Sequence, residues 1–155
     1  MKTKRCQHDW LKEEMISKLV QQVEATCLPY LDLIEGVHGL EHLRRVALSA
    51  GVLAKQVGAD VESCVVGGFL HDCARTGDES GTAHALHSAI QARVILDKHY
   101  PHLDAYTILF AIQFHADGKT TGDPITACIW DADRLDLQRL GRTIDKNLLS
   151  NGFLK

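Results

Sequence analysis

Apolar residues in this chain recur at three- and four-residue intervals, in stretches bounded by aspartate, proline and glycine, and they form no sustained every-second-residue alternation. A period near 3.6 buries one face only when the segment is helical, whereas a half-buried strand needs a period of two. The pattern therefore confines the chain to helices packed on helices. Asp9 is placed to cap a first helix, with Leu11, Ile16, Leu19, Val20 and Val23 at helical spacing and Pro29 ending it. A second covers about Leu40 to Val57, with Leu43, Ala47, Ala50, Leu53 and Ala54 on one side and Gly58 as its stop. Asp60 caps a third that carries "VESCVVGGFLHDCA" toward Gly77. Its Gly67-Gly68 pair costs about 1 kcal/mol per glycine relative to alanine, so close approach of a neighbouring helix is the expected reason for it. A fourth helix covers about Ala83 to Tyr100, Pro101 opens a fifth through His115, and Pro124 opens a sixth through Leu140, closed by Gly141. The expected fold is all-α, a single-domain helical bundle over residues 1–155. The final stretch from Arg142 to Lys155 reads as a short helix and tail with no assigned packing.

Composition removes several function classes. A chain of 155 residues, 45% hydrophobic and 24% charged, has the size and balance of one globular domain. The net charge of −3 and the absence of any basic run beyond Lys2–Arg5 argue against a nucleic-acid polymer as partner. The longest uninterrupted apolar stretch, Cys64 to Leu70, is too short to span a bilayer, and the polar start lacks a signal-peptide core. A cytoplasmic protein with no membrane partner is expected. Five cysteines, odd in number and with no CxxC pair, read as reduced thiols that fill core space.

The histidines are the remaining signal. There are nine, and several fall at predicted helix ends: His38 and His42 on one face four residues apart, His71 beside Asp72, His84 and His87 three apart, and His115. A bundle brings the ends of neighbouring helices together, so residues far apart in sequence can meet in one pocket. Asp131, Asp133 and Asp136 add carboxylates on the sixth helix. His8, His99 and His102 carry no such pattern and read as ordinary half-buried residues. Asp131 and Asp136 read first as a cation partner and a solvated helix face. The adjacent pair His71-Asp72 differs, because an aspartate directly after "VVGGFL" is costly to bury without a partner. A divalent metal is the simplest such partner.

The order of His42 in "HGLEHLRRVA", His71-Asp72 in "FLHDCART" and Asp133 in "DADRLDLQRLG" resembles the HD-domain superfamily of metal-dependent phosphohydrolases, an all-α fold. The resemblance covers about His38 to Gly141. It implies four metal ligands, His42, His71, Asp72 and Asp133. Subfamilies with a second metal add two histidines between the dipeptide and the last aspartate, and His84 in "HALHSA" and His115 in "IQFHADG" match those places; His87 fits less well and ranks behind His84. The subfamily that cleaves bis-(cyclic nucleotides) carries a GYP signature that "HADGKTTGD" lacks, so a cyclic dinucleotide is disfavoured.

Mixed imidazole and carboxylate ligation suits Mn²⁺, Fe²⁺, Co²⁺, Ni²⁺ or Zn²⁺, and Mg²⁺ is the remaining option; one ion is expected, or two if Asp72 bridges to a second held by His84 and His115. Asp72 and His38 are the expected catalytic residues, orienting the attacking water or fixing a ligand tautomer. Arg75, one turn past His71, and Lys119, in the loop after His115, are the expected phosphate-binding cations, with pairing to Asp78 or Glu79 the competing assignment for Arg75. Arg45 and Arg134 read as structural. The expected function is hydrolysis of a phosphate ester or anhydride of a small phosphorylated molecule, a nucleotide first among them, by metal-hydroxide attack. A metal- or nucleotide-binding regulatory module without turnover, and a di-iron oxygenase, are the alternatives. The complete ligand set favours the enzyme over the module.

Overall fold

Helices account for most of the described chain, which in this computed structural model comprises residues 4–31, 36–77 and 81–155, with side chains from Lys12 onward. Among these residues there is no β-strand, and the α-helices are α1 (Lys4–Cys27), α2 (Leu40–Val57), α3 (Val61–Leu70), α4 (Ala83–His99), α5 (Ala105–Phe114) and α6 (Pro124–Asp136). The all-α bundle read from the periodicity is what the chain adopts. No helix among the described residues is long and apolar enough to cross a membrane.

α3 is the centre of the bundle. Every residue from Ser63 to Leu70 is buried, against a single buried face on α1 formed by Ile16, Val20, Val23 and Cys27. Its two glycines admit neighbours on opposite sides, as their cost in a helix suggested. A Cβ on Gly68 would lie 3.1 Å from the Ala47 Cα and 3.2 Å from the Val46 carbonyl oxygen of α2, and one on Gly67 would strike the Ile129 side chain of α6. The α2–α3 and α3–α6 crossings are thus close because these positions have no side chain. α1 is fixed to α2 by Arg44, whose Nε and Nη2 donate to the two Glu24 carboxylate oxygens at 2.6 Å each. Cys27, Cys64, Cys73 and Cys128 are buried free thiols, in keeping with the core-filler reading, and burial pushes Cys27 and Cys73 up to about 12.

Several boundaries differ from the sequence reading for identifiable reasons. Asp9 lies inside α1, which already begins at Lys4. α3 stops at Leu70 and does not continue toward Gly77, because the Ala74 amide, which would bond Leu70 in a continuing helix, is taken by the Ser88 hydroxyl at 3.1 Å. The chain then tightens into turns, with Cys73 N–H donating to the Leu70 carbonyl and Arg75 N–H to that of Asp72. α5 starts at Ala105 and not at Pro101: Pro101 sits in a turn, and the Asp104 carboxylate accepts from the Thr107 amide at 3.3 Å and its hydroxyl at 2.6 Å. α6 opens at Pro124 as expected, but its last turn is a 3₁₀ segment (Leu137–Leu140) that ends at left-handed Gly141.

The C-terminal tail docks on α6. Asp131, fully buried, accepts from the Ser150 amide at 2.7 Å, the Asn151 amide at 2.8 Å and the Asn151 side-chain amide at 2.7 Å, while Arg134 donates to the Leu148 carbonyl. Asp131, read first as a cation's partner, instead anchors the tail. The tail is thereby fastened to the helix that carries Asp133.

Candidate metal centre

Five elements converge on one buried cluster. His42 comes from the first turn of α2, His71 and Asp72 from the turn after α3, His84 from the first turn of α4, His115 from the C-terminal end of α5, and Asp133 from α6. His42, His71, Asp72 and His115 are 0–5% exposed. His38 lies in the turn ahead of α2, which starts at Leu40 behind Gly39, so it is not in the helix with His42; its ring nevertheless stands edge-on to His42 with centroids 5.2 Å apart.

The orientation of the rings is fixed from behind. His71 Nδ1 donates to the Gly68 carbonyl at 2.6 Å, and His115 Nδ1 to the Ile112 carbonyl at 2.7 Å. His42 Nδ1 donates to the Asp136 carboxylate at 2.7 Å. These partners only accept, so each Nδ1 carries the hydrogen and each Nε2 turns a lone pair inward. His42 Nε2 and His71 Nε2 then face each other at 3.0 Å. Two lone pairs at that distance require a proton or a metal ion between them.

The remaining donors close around that point. Asp133 Oδ1 is 3.3 Å from both His42 Nε2 and His71 Nε2, and Asp72 Oδ2 is 3.7 and 3.5 Å from the same nitrogens. Two ligands about 2.1 Å from one ion lie about 3.0 Å apart at adjacent octahedral positions and about 3.4 Å apart at tetrahedral ones. The spacing is that of a metal's ligands. The other oxygen, Asp72 Oδ1, is buried with no hydrogen-bond partner, and it lies 3.3 Å from His115 Nε2 and 3.5 Å from His84 Nε2. His38 Nδ1, 3.4 Å from Asp72 Oδ2, is likewise without a hydrogen bond. Partnerless buried polar atoms around a mixed nitrogen and oxygen donor set fit a divalent ion, and three overlapping triads (His38, His42, Asp72; His42, His71, Asp133; His71, Asp72, His115) could each hold one.

Electrostatics follow from the packing. Burial acts to raise Asp72 and Asp133, but the His71 charge, with the imidazoles of His115 and His38 close to Asp72 and those of His42 and His71 close to Asp133, outweighs it and holds both carboxyls well below the usual range. Burial acts to lower His71, and the opposing pull of Asp72 and Asp133 wins, raising it to about 9. In the metal-free protein a proton thus takes the place between the carboxylates. Burial, reinforced by Arg75 and the other histidines against the pull of Asp72, lowers His84 to about 4.

Residues 39–138 match the family model of the HD domain. The chain belongs to the HD-domain family. Ribonuclease Y 1 of Pediococcus pentosaceus is 33% identical over 111 residues, which are 71% of this chain and 20% of that protein. The chain therefore spans about a fifth of the length of the curated relative it matches. No solved structure matches it. HD domains are largely metal-dependent hydrolases, and the buried histidine–aspartate cluster of this one is able to hold a metal.

The structure brings together His38, His42, His71, Asp72, His84, His115 and Asp133 from the sequence reading. Between the neighbours on α4, it is His84 that faces Asp72, while His87 is exposed on the rim of a cavity of about 200 Å³. Arg75 also reaches the cluster: its Nη1 lies 3.4 Å from Asp72 Oδ2 and 3.1 Å from His84 Nε2. Asp78 and Glu79, named as its competing partners, lie outside the described residues. Lys119 sits farther out, 3.9 Å from Asp117 and 5.9 Å over the Phe114 ring. His99 and His102 have ordinary partners, Tyr30 and Glu62.

The sequence reading missed Asp136. Read as a solvated helix face, its side chain is only 10% exposed and orients His42, and it is itself held by Arg45 at 2.8 Å and Arg139 at 3.3 Å. The helical period offered a signal. Asp136 lies one turn past Asp133, and Arg45 one turn past His42, so the second pair meets directly behind the first.

Proposed function

We propose that the protein is a metal-dependent phosphohydrolase acting in the cytoplasm on a small phosphorylated molecule, with nucleotides as the favoured class and a phosphate ester or anhydride as the bond cleaved. The observation that carries this reading is the 3.0–3.7 Å spacing of four donors, from His42, His71, Asp72 and Asp133, all turned toward one point. A divalent ion held there supplies an acidified water near neutral pH and withdraws charge from a phosphoryl oxygen.

The chain's own residues do the rest. Asp133 and His38 keep 18% and 17% side-chain exposure, so the cluster opens to solvent on their side. His38 Nδ1, with no hydrogen-bond partner, is placed to accept from an attacking water and fix its direction. Asp72 turns one oxygen to His42 and His71 and the other to His84 and His115, which keeps its charge at the centre of the pocket. Arg75 offers a forked guanidinium beside Asp72 for two phosphoryl oxygens, and Lys119 adds positive charge farther out. The acidic net charge suits a small substrate met by local cations better than a polymer.

A second reading is favoured by the match to Ribonuclease Y 1: the scissile bond is a phosphodiester in RNA. One screen separates the two. The protein, loaded with Mn²⁺, Co²⁺, Ni²⁺ or Mg²⁺, is assayed for phosphate release from nucleoside mono-, di- and triphosphates, and for cleavage of cyclic dinucleotides and short oligoribonucleotides. Turnover confined to mononucleotides supports the first reading, and turnover confined to oligoribonucleotides supports the second. Bound metal with no turnover anywhere would overturn both in favour of a regulatory module or oxygen chemistry on iron.

A further inference from the structure

The two oxygens of Asp72 face two different sets of donors. Oδ2 belongs with His42, His71 and Asp133, while Oδ1 lies between His115 and His84, so a second cation position adjoins the first. That position already has a positive charge beside it. Arg75 Nη1 donates to His84 Nε2 at 3.1 Å and stands 3.4 Å from Asp72 Oδ2, and Arg75 Nε donates to the Gly77 carbonyl at 2.9 Å, which anchors the guanidinium from the other side. The Arg75 side chain is 10% exposed.

We propose that Arg75 is a tethered cation that stands in for a second metal ion, so that the protein binds one divalent ion at His42, His71, Asp72 and Asp133, and a second enters only when the guanidinium leaves His84. The argument is geometric. An imidazole Nε2 has a single lone pair, in the ring plane, and it serves either an N–H donor or an ion, not both. With the N–H nitrogen at 3.1 Å, an ion about 2.1 Å from the same nitrogen would overlap the donor. A guanidinium is itself a cation, so positive charge fills the position without any ion being bound. Arg75 is close enough to its own turn to be held there, and the cavity of about 200 Å³ lined by Arg75, Gly77, His84 and His87 gives it room to withdraw.

The inference rests on the first position taking an ion as proposed above, and its test reads metal content and not turnover. Metal-free full-length protein is dialysed against Mn²⁺ and the bound metal counted by elemental analysis, with electron paramagnetic resonance to detect a coupled pair of ions. The wild type should hold one Mn²⁺ per chain. Arg75→Ala and Arg75→Gln should hold two, with the coupled signal expected of ions bridged by one carboxylate, and Arg75→Ala combined with His84→Ala should return to one. Equal counts in the wild type and both Arg75 variants, whether one or two, would overturn the inference and leave the hydrolase reading intact. Retention of two ions in the double variant would also overturn it, because the added ion would then not use His84. A wild type that binds none would remove both this inference and the metal-dependent reading beneath it.

Discussion

Asp136 is expected to control how tightly the cluster holds its ion although it touches none of the inward donor atoms. Its Oδ2 accepts from His42 Nδ1 at 2.7 Å. Burial acts to raise the Asp136 carboxyl, but hydrogen bonds from Arg45 and His42 outweigh it and keep the group ionised. A hydrogen bond to such a charged, largely buried acceptor contributes about 1.5–3 kcal/mol, and loss of a carboxylate behind a metal-bound histidine costs about 10–100-fold in affinity, so the two scales agree. Asp136→Ala removes the acceptor and frees His42 to put its hydrogen on Nε2, where it blocks the ion; this variant should lie near the 100-fold end, about 2.7 kcal/mol. Asp136→Asn keeps an acceptor and so keeps the tautomer, losing only the charge, and should lie near tenfold, about 1.4 kcal/mol. The fold should survive both, because Arg45 and Arg139 are 38% and 31% exposed and can rehydrate, so those ion pairs contribute at most about 1 kcal/mol each. Chelator competition titrations with Mn²⁺ measure the affinities, with far-ultraviolet circular dichroism as the check on folding. If folded Asp136→Ala binds Mn²⁺ within about threefold of the wild type, the orienting role of Asp136 is wrong.

Three further outcomes are expected. The double substitution of His71→Ala and Asp72→Ala should leave a folded, metal-free protein; elemental analysis that finds the full metal content in it would refute the ligand assignment. Gly68→Ala should destabilise the protein by about 1–3 kcal/mol, since the added methyl meets α2 backbone and not a flexible side chain tip, and it should weaken metal binding as α3 shifts under His71; a denaturant midpoint at or above wild type would contradict the close crossing. The third concerns pH. His71 is raised from its ordinary 6.5 to about 9, so its contribution to the stability of the metal-free protein is fully present below 6.5 and lost as pH rises through 9. Metal must displace that proton, so the rise in Tm on adding Mn²⁺ should grow between pH 6.5 and 9. A metal-induced Tm shift that stays flat across this window would argue against proton and metal competing for one place.

The helical period, the cap at Asp60, the opening at Pro124 and the stops at Gly58 and Gly141 were all legible in the chain, because each is a local matter of backbone geometry and nearby hydrogen bonds. So was the suspicion about Asp72: an aspartate written into an apolar run must find a counter-charge wherever the fold puts it. The start of α5 shifted for a local reason, the Asp104 cap, whereas the end of α3 shifted for a tertiary one. The helix before Asp72 ends early because Ser88, on another helix, takes an amide of the following turn. Neighbours along the chain say nothing of Ser88's nearness.

The same division runs through the cluster. The sequence by itself determined which side chains have the chemistry to hold a cation and that they fall at helix ends. Only the packing decided that Asp136 stands behind His42 and that Arg75, not bulk solvent, meets His84. It also decided that Asp131, chemically the equal of Asp133 and two residues away, turns to the tail while Asp133 turns to the histidines. Residues two apart on a helix point about 200° apart, so which one faces the pocket depends on how α6 is rotated against α3, and that rotation is set by Gly67, Ile129 and the docked tail. A side chain's chemistry is written in the chain; its partner is chosen by contacts between segments far apart in it.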